Sequence, residues 1–122
     1  MKIPPQYNRL MPYLILPGAA KFITFMKHVF GATEQMSVPL EDGSIMHAEI
    51  RLGESVLMLG DASQQFPAKP AGMFLYVENV KEVYEKAINA GAISVMEPVK
   101  KDYGYTCGFK DPFGNDWWPT EA

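Results

Sequence analysis

Hydrophobic and polar positions alternate most regularly in Ser44–Leu52, where Met46, Ala48, Ile50 and Leu52 fall on one face and His47, Glu49 and Arg51 on the other. A period of two predicts a half-buried strand. Gly53-Glu54-Ser55 supplies a turn, and Val56–Leu59 reads as a short, wholly apolar strand after it. Upstream, Leu10–Leu16 is a strand candidate in which Pro12 points to an edge or a strand start. Pro17-Gly18 breaks it. Phe22, Ile23, Met26, Val29 and Phe30 then recur at helical spacing, and Gly31 stands where a helix-ending glycine belongs. Thr33–Pro39 is a weaker strand, and Glu41-Asp42-Gly43 is a turn. Asp61–Pro70 shows no periodicity and reads as a linker.

Past the linker the order starts again. Met73–Val77 is a strand, Asn79 with Glu82 makes a helix start, and Val80, Val83, Tyr84 and Ala87 form a helical stripe closed by Gly91. Ile93–Met96 and Tyr103–Phe109 are strands separated by the Lys100-Lys101-Asp102 turn. Asp111-Pro112-Phe113-Gly114-Asn115 is strong turn chemistry before a last short strand at Asp116-Trp117-Trp118. One β-α-β-β-β unit is thus written twice. Gly31-Ala32 matches Gly91-Ala92 and Met36 matches Met96, an offset of 60 that also lays Pro12 on Gly72, His47 on Cys107, Glu49 on Phe109 and Met58 on Trp118. The expectation is an α+β chain forming a single domain over 1–122. Its first module covers about 8–61, its linker about 62–70 and its second module about 71–120. Strands are expected near 10–16, 45–52, 55–60, 73–78, 104–110 and 115–119, and helices near 18–30 and 79–90.

Composition narrows the partners more than the fold. A net charge of −3 without any Lys/Arg block argues against nucleic acid or an anionic membrane. Met1-Lys2-Ile3-Pro4-Pro5 opens no long apolar run, so neither a signal peptide nor a spanning helix is expected. A single cysteine, Cys107, excludes an internal disulfide and fits a reducing, cytoplasmic setting. Eight methionines, with seven Phe, six Tyr and two Trp, supply the adaptable and bulky groups that line pockets, although cores use them equally.

The chemistry sits on the polar face of the organising strand. His47, Glu49 and Arg51 point the same way about 7 Å apart, which on an arbitrary hairpin is a solvated face. A His-x-Glu pair has ligand-like chemistry, yet two ligands make a weak metal site and no third is evident. Cys107 reads as an inert buried thiol and His28 as a surface residue near a helix end.

The paired units, the RLMPYL opening, the MHAEIRLGESVLMLGD hairpin and the KDPFGNDWW ending resemble the glyoxalase/bleomycin-resistance/dioxygenase superfamily, the vicinal oxygen chelate fold, and within it the PhnB-like subgroup. The resemblance covers about residues 8–120. It implies a cupped mixed sheet with helices on the convex side, a site in the cup, and frequent completion by a second subunit. A homodimer is therefore expected. The family's metal ligands, carried over by the resemblance, fall on Pro12, Met58, Gly72 and Trp118, and none of these offers a suitable donor. Leu16 stands where glutathione-using members tend to carry a basic residue. No metal or other cofactor is expected, a divalent metal through His47 and Glu49 being the alternative.

In that cup, His47 and Glu49 become tentative catalytic residues, and Arg51, Met58, Phe74, Tyr76, Tyr105, Cys107 and Trp118 become ligand-binding residues. Tyr103 and Phe109 are expected on the same face. The first reading of function is binding or sequestration of a small organic ligand. The alternatives are a glyoxalase-like lyase or isomerase using His47 and Glu49 for proton transfer, and a subunit with a vestigial pocket.

Overall fold

The apolar runs form eight strands and two helices in the computed structural model, which describes residues 1–122. These fall into two units, 1–27 with 31–69 and 28–30 with 70–122. In the first, β1 (Tyr13–Leu16), β2 (Thr33–Pro39), β3 (Ile45–Leu52) and β4 (Ser55–Asp61) make a four-stranded sheet in the order β1-β4-β3-β2. Helix α1 (Ala19–Phe30) runs between β1 and β2. In the second, β5 (Gly72–Tyr76), helix α2 (Val80–Asn89), β6 (Ile93–Lys101), β7 (Gly104–Lys110) and β8 (Asp116–Thr120) follow the same sequence, with sheet order β5-β8-β7-β6. β1 pairs parallel with β4, and β5 with β8, while every other pairing is antiparallel. Each unit is β-α-β-β-β, and the fold class is α+β.

The duplication is recorded in how the helices begin. Gly18, in the left-handed region, offers no side chain to cap α1. The Asp61 carboxylate at the end of β4 accepts instead, from the Ala19 amide at 2.8 Å and the Ile45 amide at 2.7 Å. Sixty residues on, Glu121 just past β8 accepts from the Val80 amide at 2.9 Å. Both carboxylates answer the orphan amides and the positive end of a helix. Asn79 adds the expected cap, its side chain accepting from the Glu82 amide at 3.0 Å. Phe22, Ile23, Phe25, Met26 and Val29 are the buried stripe of α1, and Ala48, Ile50, Leu57 and Leu59 the buried faces of β3 and β4. In the second unit Phe30, from the last turn of α1, lies 5.0 Å from Trp117 and 6.2 Å from Phe109, ring centroid to centroid.

Three expectations need correcting. β1 starts at Tyr13 rather than near residue 10, although the Pro12 carbonyl already accepts from the Met58 amide at 2.9 Å. Leu10 is exposed. Met46 is not on the buried face: it is 55% exposed, and Ile45 is buried in its stead. The β2–β3 register slips between Val38 and Pro39, and the extra residue on β3 reverses the alternation at that end. β6 extends past the expected Met96 to Lys101 and carries Pro98, which an edge strand tolerates. No helix is long and apolar enough to cross a membrane.

A further correction, to the repeat, matters for the site. Leu57 pairs with Ile50, and Trp117, sixty residues from Leu57, pairs with Phe109. Ile50 therefore corresponds to Phe109, one residue short of the uniform offset. The turn Asp111–Asn115 is one residue longer than its counterpart between Arg51 and Val56, and that length restores the offset in β8. A one-residue slip turns every side chain of a strand to the opposite face. Cys107 and Phe109 are accordingly not the counterparts of His47 and Glu49; Gly108 is the counterpart of Glu49. At the other edge, Tyr13 pairs with Met58 and Phe74 with Trp118, so Tyr13 matches Phe74, and Pro12 does not match Gly72.

Candidate functional site

Two rows of cross-strand neighbours organise the faces that bear on function. In the first unit the row is Tyr13, Met58, Glu49 and Met36, and in the second Phe74, Trp118, Gly108 and Met96. Residues directly opposite on paired strands share a face, so the row in the first unit gathers polar groups around Glu49.

Glu49 is 2% exposed, with a donor at each carboxylate oxygen. His47 Nε2 lies 2.8 Å from Oε2, Tyr7 donates its hydroxyl to Oε2 at 3.0 Å, and Gln35 donates its side-chain amide to Oε1 at 3.0 Å. Burial pushes the carboxyl up. The hydrogen bonds from Gln35, His47 and Tyr7, with the field of His47, outweigh it and hold Glu49 below the usual carboxylate range. The bond to Glu49 is also the main reason the Tyr7 phenol is raised, followed by its own desolvation. Gln35 reaches the carboxylate because it is the extra residue of a bulge between Glu34 and Met36. Arg51 stands off from Glu49, its guanidinium donating to Gln35 Oε1 at 2.8 Å and to the Gln6 carbonyl at 3.0 Å. The arm 1–8 is thus folded down on the polar face of β3, with Asn8 Oδ1 accepting from the Val56 amide at 3.1 Å. On the open side the Tyr13 hydroxyl lies 2.9 Å from His47 Nδ1.

The face around Phe74 is different in kind. Phase-matched positions Phe74 and Tyr76 meet edge to face at 5.3 Å, and Tyr103 joins Phe74 at 6.3 Å from the turn before β7. Trp118 is their neighbour on β8, and its ring lies over Gly108, where any Cβ would strike it. Thr106 and Thr120 continue the same face, their hydroxyls 2.8 Å apart.

Of the residues expected in the site, the structure brings His47 and Glu49 into direct contact and puts Met58 between Tyr13 and Glu49 in the row. Phe74, Tyr76 and Trp118 share a face of the second sheet. Tyr105 and Cys107 do not join them, because alternation along β7 turns both to the Phe109 side. Cys107 is fully buried there, and burial pushes its thiol up to about 12, which makes it unreactive. Tyr7, Tyr13 and Gln35 were not anticipated. Tyr13 had a signal, since Leu14 and Leu16 inward leave it outward, whereas the aperiodic arm gave none for Tyr7.

The four positions carried over as metal ligands, Pro12, Met58, Gly72 and Trp118, offer no suitable donor. Met58 offers a thioether, Trp118 only a donor, and the β1 and β5 neighbours of these two are Tyr13, engaged with His47, and Phe74. No group of three His, Cys, Asp or Glu side chains is placed to hold a metal ion.

Comparison with known proteins agrees with the topology. A Mycobacterium bovis protein, Mb0911c, is 32% identical over 120 residues, spanning 88% of this chain and 79% of its own. The crystal structure of TioX from Micromonospora sp. ML1 superposes with a TM-score of 0.77 at 20% identity, covering 93% of this chain and 98% of that one. The structure of a putative 3-demethylubiquinone-9 3-methyltransferase, the PhnB protein from Bacillus cereus, gives a TM-score of 0.76 at 18% identity, covering 94% of this chain and 100% of that one. The sequence signature of the Glyoxalase/Bleomycin resistance protein/Dioxygenase superfamily matches residues 8–118, and with two β-α-β-β-β units behind that match, the chain belongs to this superfamily.

Proposed function

We propose that this protein binds a small organic molecule with an aromatic part, and that the Phe74 face of the second sheet takes it. The observation that carries the reading is a cluster of rings left open: Phe74, Tyr76 and Tyr103 are 52%, 67% and 58% exposed. Clustered apolar surface of this kind marks interaction sites, and aromatic faces stack flat ligands at little conformational cost. Binding needs no metal, in keeping with the donors around Met58 and Trp118. Anilinonaphthalene sulfonate serves as the probe. Its fluorescence should rise with the native protein, and the double substitution Phe74→Ala, Tyr103→Ser should weaken binding at least about tenfold, roughly 1.4 kcal/mol. Equal binding by the double variant, or none by the wild type, defeats the proposal.

A second reading, acid–base catalysis of a lyase or isomerase type, is favoured by one specific observation. His47 is held between a buried carboxylate and a half-exposed phenol. Such an arrangement orients a base.

The reading includes a homodimer. Edge strand β6 leaves Ile93, Val95 and Val99 exposed at 69%, 50% and 38%, a liability that a partner copy removes. Sedimentation at tens of micromolar should give twice the 13.7 kDa chain mass; a clean monomer sinks this part.

A further inference from the structure

We propose that Tyr13, His47 and Glu49 form a proton relay that takes the proton of a weakly acidic hydroxyl, a phenol or an enol, and holds the resulting oxyanion at the Tyr13 hydroxyl. The proposal deepens the acid–base reading above and rests on it. Glu49, ionised, can only accept, so His47 Nε2 at 2.8 Å carries the hydrogen between them. The other nitrogen of a neutral imidazole is then a bare acceptor, and the Tyr13 hydroxyl at 2.9 Å donates to it. With its proton turned inward, the Tyr13 oxygen presents its remaining lone pair outward. Exposure falls from 50% at Tyr13 to 22% at the His47 side chain and 2% at Glu49. A surface hydroxyl, a base and a buried anion in that order follow the logic by which a third group orients a base and stabilises its cation.

The transfer balances without a co-reactant. The ligand O–H bond breaks towards the Tyr13 oxygen while the Tyr13 proton passes to His47 Nδ1. The products are a ligand oxyanion, a neutral Tyr13 that now donates to it, and an imidazolium paired with Glu49. The groups that face this chain are Tyr7 from the arm, Tyr13 from β1, Gln35 from β2 and Arg51 from β3. The cation among them, Arg51, is spent on Gln35 and on the Gln6 carbonyl, leaving Glu49 to balance the imidazolium. The ligand class follows from the base. An ordinary alcohol holds its proton too tightly for an imidazole, and a carboxylic acid has already lost it at neutral pH, whereas activated phenols and enols titrate in between.

The test uses 4-nitrophenol, whose phenolate absorbs in the visible and forms near neutrality, with the full chain in excess. Below the probe's own midpoint the protein should raise the phenolate absorbance, an increase in acidity of about tenfold, or one pKa unit. Tyr13→Phe should abolish the shift while melting close to the wild type. Nitrogen-15 spectra provide a second readout, since the chain has two histidines and His28→Asn identifies the other. His47 should show the Nε2–H tautomer, with an Nδ1 resonance that moves in Tyr13→Phe. No binding at millimolar probe, binding without a change in acidity, an equal shift in Tyr13→Phe, or an Nδ1 resonance indifferent to Tyr13 overturns it.

Discussion

Glu49→Ala should lower the stability of the fold by about 2–4 kcal/mol and its Tm on the order of 10 °C. Removing the carboxylate leaves Gln35, Tyr7 and His47 without their shared acceptor, and the arm loses the contact by which Tyr7 covers β3. His47→Ala should be milder, because Glu49 keeps its donors Gln35 and Tyr7 and the imidazole is already partly in water. Glu49→Gln should lie between them at neutral pH, since an amide oxygen still accepts. Acid separates the two substitutions. The native pKa of Glu49 is lowered, so its stabilisation is fully present above the unfolded-state value, about 4.5, and is lost as pH falls through the native value. Urea unfolding at pH 7 and pH 3.5 should show a smaller acid loss for Glu49→Gln than for the wild type. Equal losses would mean that Glu49 does not carry the charge in the native state.

The two modules were legible because period-two and helical stripes survive in single residues, and because Gly31 and Gly91 punctuate them alike. The face of β7 was not legible. Tyr103, Tyr105, Cys107 and Phe109 alternate well with Thr106, Gly108 and Lys110 whichever side is inward, as both sets mix apolar and polar residues. The deciding fact is the extra residue in Asp111–Asn115, which a uniform offset hides. Met46 failed for a related reason: a bulge is a backbone event with no side-chain pattern of its own. His47 and Glu49 were found because a strand alone brings i and i+2 together. Their supporting groups come from the arm, β1 and the β2 bulge, and depend on tertiary placement that spacing does not encode.

Trp117→Ala should be among the most damaging substitutions in the chain, costing about 3–5 kcal/mol. The ring is 1% exposed, beside Phe109 on the buried face of the second sheet and 5.0 Å from Phe30. Its indole N–H donates to Asp111 Oδ2 at 2.8 Å. Asp111 is itself buried and also accepts from the Phe113 amide, the Asn115 amide and the Asn115 side chain, so Trp117 locks the turn that sets the register of β8. Trp117→Phe keeps most of the apolar volume and removes the donor. Asp111 retains three others, and a loss of about 1–2 kcal/mol is expected. The adjacent Trp118 is the control: it faces the open side over Gly108 and is only partly buried, so Trp118→Ala should cost less than half as much as Trp117→Ala. Urea unfolding of the three variants, followed by circular dichroism, measures all three values. If Trp118→Ala proves as costly as Trp117→Ala, the two faces assigned to β8 are wrong, and with them the placement of Phe74, Tyr76 and Trp118 on the open face proposed to bind a ligand.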